Sequence, residues 1–125
     1  MKRWMFVIML LVPLGAQSSD WAHDAVNLTH EHGNGKGVKV GVLDQLVLCT
    51  HQELAGRCQA WRPVGYDNLQ AGDHGTHVAS IIAGKDKAPA WLEHDGGMAP
   101  GATILSYGIF DPNGGSFKEG KYYHS

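Results

Sequence analysis

Two side chains thirty positions apart, Asp44 and His74, are of the types that share work on one proton. An ionised carboxylate only accepts hydrogen bonds, whereas a neutral imidazole donates from one nitrogen and accepts at the other. A carboxylate that holds one ring nitrogen leaves the other free to act as a general base. Asp44 closes the run Gly37-Val38-Lys39-Val40-Gly41-Val42-Leu43. That run is apolar and β-branched, as in a parallel strand buried on both faces. The carboxyl edge of such a sheet is where sites are built. His74 lies in Asp73-His74-Gly75-Thr76-His77-Val78-Ala79-Ser80. Asp73 reads as a helix cap, which puts the imidazole in the first turn, pointing out of the packed layer. Gly75 removes bulk beside it, so another stretch of backbone can come close.

The rest of the chain supplies elements to position this pair. Ser18-Ser19-Asp20 caps a helix with Trp21, Ala25, Val26 and Leu28 at helical spacing and Gly33 as its stop. A turn over 33–37 leads into the strand 38–43. Residues 45–60 read as loop, Trp61 to Tyr66 as a short strand, and His74 to Ala83 as a helix ended by Gly84. A loop over 85–100 precedes an apolar strand from Ala102 to Phe110, closed by Asp111-Pro112-Asn113-Gly114-Gly115. Strand, helix and strand in that order imply an α/β fold with a mainly parallel sheet. With 125 residues there is room for one small domain. The 17 glycines mark many tight turns, and a net charge of −2 excludes a strongly basic nucleic-acid binder.

Lys2 and Arg3, the apolar run Trp4 to Val12, and Pro13-Leu14-Gly15-Ala16-Gln17-Ser18 form the pattern of a secretory signal peptide. The organisation read from this is a signal over 1–17, a helical lead over 18–36 and a folded domain over 37–125. The chain is then secreted, periplasmic or on the cell surface, with no membrane span once the signal is removed. Loss of Lys2 and Arg3 lowers the 10 basic residues to 8 against 12 acidic ones. In an oxidising compartment Cys49 and Cys58, nine apart, are expected to form a disulfide. The competing use, a Cys nucleophile paired with His51, lacks any other mark of an activated thiol.

His-Gly-Thr-His-Val-Ala over 74–79, preceded by a strand ending Val42-Leu43-Asp44, resembles the subtilisin family of serine proteases. Gly37 to Asp44 resembles that family's first core strand, and His51-Gln52-Glu53-Leu54 its His-Pro-Asp-Leu. Gly97-Met98-Ala99-Pro100-Gly101-Ala102 resembles its Gly-Val-Ala-Pro-x-Ala. The resemblance implies a truncated three-layer subtilisin-like fold and a serine endopeptidase acting on proteins or peptides, without a cofactor. It implies the triad aspartate at Asp44 and the triad histidine at His74. Asn113, Gly114, Gly115 and Ser116 resemble the glycine-rich edge that pairs with extended substrate. Glu53 falls where some relatives place a calcium-binding acid, and no metal site follows from it alone. The export signal and short lead also resemble the autotransporter branch of Gram-negative bacteria.

The departures are specific. The family's Asp-Ser/Thr-Gly reads Asp44-Gln45-Leu46, so a glycine is lost where the chain turns sharply, and Gln52 stands in place of proline. Of the six serines, none sits in a nucleophile context: Ser18 and Ser19 border the signal, Ser80 faces away on the helix of His74, Ser106 is in a strand, and Ser116 and Ser125 lie near the end. The expected partner is therefore the C-terminal half of the peptidase domain, with its oxyanion hole and serine. A non-catalytic exported fragment or binding module is the alternative. His74-x-x-His77 and His30-x-His32 admit a metal reading, but zinc needs a third protein ligand. His77 is expected to be a packed core residue, and Lys85, Lys87, Lys118 and Lys121 to form a solvated face. Mass spectrometry of exported, unreduced protein is expected to show the Cys49 and Cys58 peptides joined and two hydrogens lighter than the free thiols; two alkylatable thiols would contradict the pairing.

Overall fold

The computed structural model describes residues 21–29, 31, 33–85 and 96–110. They form helix α1 (Trp21–Ala25), strand β1 (Lys39–Gln45), strand β2 (Cys58–Trp61), helix α2 (Asp73–Ala83) and strand β3 (Thr103–Phe110). The sheet order is β1-β3-β2, and both pairings are parallel. Parallel neighbours need crossover connections, and β2-α2-β3 is such a unit.

The register sorts the side chains by face. Val40 pairs with Ile104, Val42 with Ser106 and Asp44 with Gly108, while Cys58 and Ala60 continue that row on β2. This face packs under α2: Val42, Ile104, Ala79, Ala83, Ala102, Val47 and Leu54 form the buried core, with Val40, Val78 and Ile82 against it. The opposite row runs Gly41, Leu105 and Gln59, then Leu43, Tyr107 and Trp61. There Trp61 and Tyr107 stack at 5.0 Å, and Leu43 stays 64% exposed.

Four expectations are corrected. The lead helix ends at Ala25, well before Gly33. Asn27 takes a left-handed φ of 51°; its N–H donates to the Asp24 carbonyl at 3.0 Å, and the Leu28 N–H donates to the His23 carbonyl at 2.9 Å. That double bond pattern closes a helix C-terminus, and asparagine adopts the required angle after glycine most readily. The second strand is Cys58–Trp61, earlier than Trp61 to Tyr66. The ladder is left at Arg62, and Pro63, which has no N–H to donate, makes only an isolated bridge. At α2 the cap position is Gly72 and Asp73 is already helical. His77, expected in the core, is exposed.

The chain after α2 folds back on the helix end. Gly97, Met98 and Ala99 donate their N–H groups to the carbonyls of Gly84, Ile81 and Ile82 at 3.1, 2.9 and 2.7 Å. Carbonyls that the helix itself leaves without partners are thereby satisfied. Cys49 and Cys58 are disulfide-bonded, tying the turn after β1 to the start of β2. The closed loop adds about 2.7 kcal/mol on the chain-entropy account. No free cysteine occurs among the described residues, which removes the thiol-nucleophile reading. None of the described helices is long and apolar enough to cross a membrane.

Ser106 is fully buried, and its Oγ accepts the Val47 N–H at 2.9 Å. Ser106→Ala leaves that amide without a partner and is expected to lower stability by about 1–3 kcal/mol in urea unfolding. A change below about 0.5 kcal/mol would show that Val47 finds another acceptor.

Candidate active site

The parallel strand delivers Asp44 to the carboxyl edge of the sheet, on the face that carries α2. Between Asp44 and Gln45 the register slips, so that Gln45 pairs with Phe110 and skips a position. From here the chain leaves the ladder, and several of its backbone groups find new partners. The Gln45 N–H donates to Asp44 Oδ1 at 2.6 Å. The Leu46 carbonyl accepts the Gly72 N–H at 2.8 Å. The Val47 N–H goes to Ser106, and the Leu48 N–H donates to Thr76 Oγ1 at 2.9 Å. The Thr76 hydroxyl in turn donates to the Gly72 carbonyl at 2.9 Å. Residues 45–48 are thus laced to the first turn of α2 and to the middle of β3.

This lacing brings Asp44 and His74 together. His74 Nδ1 lies 2.8 Å from Asp44 Oδ2 and 2.9 Å from Oδ1. A carboxylate has no proton to give, so Nδ1–H is the donor. The two side chains differ sharply in exposure, 70% for His74 and 16% for Asp44. The carboxylate is shielded and fixed, while the imidazole presents its outer nitrogen, Nε2, to solvent. Such a pair can receive a proton at Nε2, with the charged ring stabilised from behind by Asp44.

Gly75 lets the elements approach. A Cβ there would run into the carbonyl of Gln45. The lost family glycine, by contrast, causes no backbone strain: Leu46 has no left-handed φ, and its side chain is buried against Gly108. The turn is made by the register slip instead.

The remaining candidates fall elsewhere. Asn113, Gly114, Gly115 and Ser116, together with His30, His32, Lys87, Lys118, Lys121 and the signal segment 1–17, lie outside the described residues. Glu53 is buried; its Oε2 accepts the Lys85 N–H at 3.0 Å, and its carbonyl accepts from Arg57 at 3.0 Å. Lys85 itself is exposed. A cleft of about 490 Å³ flanks α2 and is lined by His51, Asp73, Thr76, His77 and Ser80, not by Asp44 or His74. Among the described residues no three or more His, Cys, Asp or Glu side chains converge as metal ligands would. Ser80 Oγ donates to the Thr76 carbonyl at 2.9 Å, turned along its own helix. Sequence reasoning misses Gln45, Gly72 and Thr76 as parts of the site. A signal exists for Gln45, which departs from the motif beside Asp44.

The profile of the subtilase family matches residues 35–123. Fervidolysin of Fervidobacterium pennivorans is 36% identical over 102 residues, covering 73% of this chain and 14% of its own length. The minor extracellular protease Vpr of Bacillus subtilis is 30% identical over 112 residues, covering 78% of this chain and 13% of its own. The crystal structure of fervidolysin, described as a keratinolytic enzyme related to subtilisin, superposes with a TM-score of 0.60 at 32% identity over 77% of this chain and 16% of that one. The chain belongs to the subtilase family, and its parallel α/β fold is subtilisin-like. It spans only a small part, roughly a seventh, of the length of these relatives.

Gly75→Ala is expected to lower stability by about 1–3 kcal/mol, the usual cost of overpacking against a fixed backbone. Urea unfolding measures it; an unchanged midpoint would mean that Gln45 and α2 are not in close contact.

Proposed function

We propose that this chain is the N-terminal portion of an exported subtilisin-like serine endopeptidase that cleaves peptide bonds in proteins. Asp44 orients His74, and His74 Nε2 takes the proton from a serine supplied by sequence after Ser125. The observation that carries this reading is the Asp44–His74 pair, closed at Nδ1 and open at Nε2. The tetrahedral oxyanion is held by groups from the same later sequence, and Asn113 to Ser116 pair with extended substrate as an added strand. Residues 1–17 act as the export signal, 18–36 as a lead and 37–125 as the start of the peptidase domain. The extracellular setting of Vpr supports export. Assignment to the autotransporter branch rests on the signal and lead alone.

A second reading, a non-catalytic exported fragment or binding module, is favoured by one observation. Neither described serine offers a hydroxyl to His74, since Ser80 bonds to Thr76 and Ser106 to Val47. The coding DNA after Ser125 separates the two readings. A continuing frame with Gly-Thr-Ser supports the enzyme, and an immediate stop supports the fragment.

The 125-residue chain alone is expected to show no peptidase turnover above background and no labelling by a fluorophosphonate probe. A labelled serine within residues 18–125 would overturn the assignment of the nucleophile to later sequence. In a longer form carrying Gly-Thr-Ser, His74→Ala is expected to lower kcat by a factor of about 10⁶. That factor is the one that loss of the triad histidine costs subtilisin, carried over from that enzyme and not obtained from the present geometry. Retention of activity in the variant would contradict the role of His74.

A further inference from the structure

We propose that Gln45 is a positioning residue for His74, a helix cap carried on the neighbouring strand that also sets the helix against Asp44. The inference rests on the reading of His74 as the base. The first turn of a helix leaves its N–H groups without intrahelical acceptors, and a side chain at the cap position ordinarily accepts the second or third of them. Here the cap position is Gly72, extended at φ −111° and ψ 153°, and it supplies no side-chain bond. The Oε1 of Gln45 accepts the His74 N–H instead, at 3.1 Å. His74 is the second helical residue, so Gln45 takes the bond that a capping side chain on Gly72 would take.

The two positions exclude each other. A Cβ on Gly72 would overlap the Gln45 side chain at Oε1, Cβ and Cδ. Glycine at 72 and glutamine at 45 therefore form one device. A cap on Gly72 would stabilise α2 but add no tie to β1 beyond the bonds of Leu46 and Leu48 to Gly72 and Thr76. A cap on Gln45 ties the backbone of His74 to the residue whose own N–H is bonded to Asp44 at 2.6 Å. The carbonyl of the same residue rests on Gly75. Three contacts from one residue thus fix the carboxylate, the backbone of the histidine and the distance between their elements. Where the family has serine or threonine, this chain uses a longer side chain that crosses to the helix.

The test uses the full chain and two readouts by NMR: amide exchange at the His74 N–H and the chemical shift of its ring Cε1–H. In Gln45→Ala the His74 amide is expected to exchange about 5-fold faster, matching a cap worth about 1 kcal/mol, and the ring signal to move toward that of free histidine. Gly72→Ser alone is expected to lower stability, because its side chain meets Gln45. In a Gln45→Gly background, which also removes the Cβ that a side chain at 72 would meet, Gly72→Ser is expected to restore the slow amide exchange and to leave the ring signal displaced, since the helix is capped again without the bond from residue 45. Should Gln45→Ala fail to fold, the Gln45→Gly/Gly72→Ser double variant decides: a folded chain with a displaced ring signal supports the proposal, and an unfolded one overturns it. Equal effects of Gly72→Ser in both backgrounds, an unchanged Gln45→Ala, or a double variant that restores both readouts would also overturn it. None of these readouts needs a nucleophile, so loss of the peptidase reading would leave the outcome legible.

Discussion

After Asp44 the backbone can no longer follow β3, and its peptide groups must find partners or remain buried without them. The strap 45–48 meets that constraint by borrowing acceptors and donors from Asp44, Gly72, Ser106 and Thr76. Most of these bonds cross from one element to another. The strap is therefore both the end of β1 and the means by which α2 is held to the sheet. The Asp44–His74 geometry is a by-product of satisfying main-chain hydrogen bonds at one sheet edge. A side-chain contact of 2.8 Å to an imidazole that is 70% exposed would be worth little by itself; the backbone behind it sets the approach.

The close approach depends on small residues at three places. Gly75 faces the Gln45 carbonyl, Gly72 faces the Gln45 side chain, and Gly108 admits Leu46 beside β3. A methyl group at any of these would push the strap away from its partners. The disulfide acts one step further out, holding the turn after Leu48 to β2. The sheet face away from α2 is less covered. Leu43 is exposed there beside Tyr107, as expected of a strand whose second covering layer comes from elsewhere in a subtilase domain.

Much of this is legible in the residues. The β-branched run ending at Asp44 and the histidine motif name the pair, and Gly75 signals a backbone at close range. The identity of that backbone is not legible, because nothing local ties Gln45 to a helix that begins 28 positions later. The cap is misplaced by sequence reasoning for a related reason. Asp73 has the ordinary chemistry of a cap, whereas the bond that a cap on Gly72 would make is supplied from Gln45, a tertiary contact. The end of α1 escapes because Gly33 outranks Asn27 as a stop by propensity, although Asn27 comes first along the chain. Strand β2 hides in a short, mixed sequence whose register is set by β3 and by the bond from the Ile104 N–H to the Arg57 carbonyl at 2.8 Å. His77 shares a motif with His74 but sits three residues on, where the helix turns it to solvent.

The role assigned to Asp44 is to fix the proton on one nitrogen of His74 and leave the other as the base. The ¹⁵N chemical shifts of the His74 ring, recorded on the neutral imidazole, test it directly. The account predicts a protonated Nδ1 and a bare Nε2, a preference that disappears or reverses in Asp44→Asn. A wild-type ring that carries its proton on Nε2, or averages between the two tautomers as a free histidine does, would contradict it.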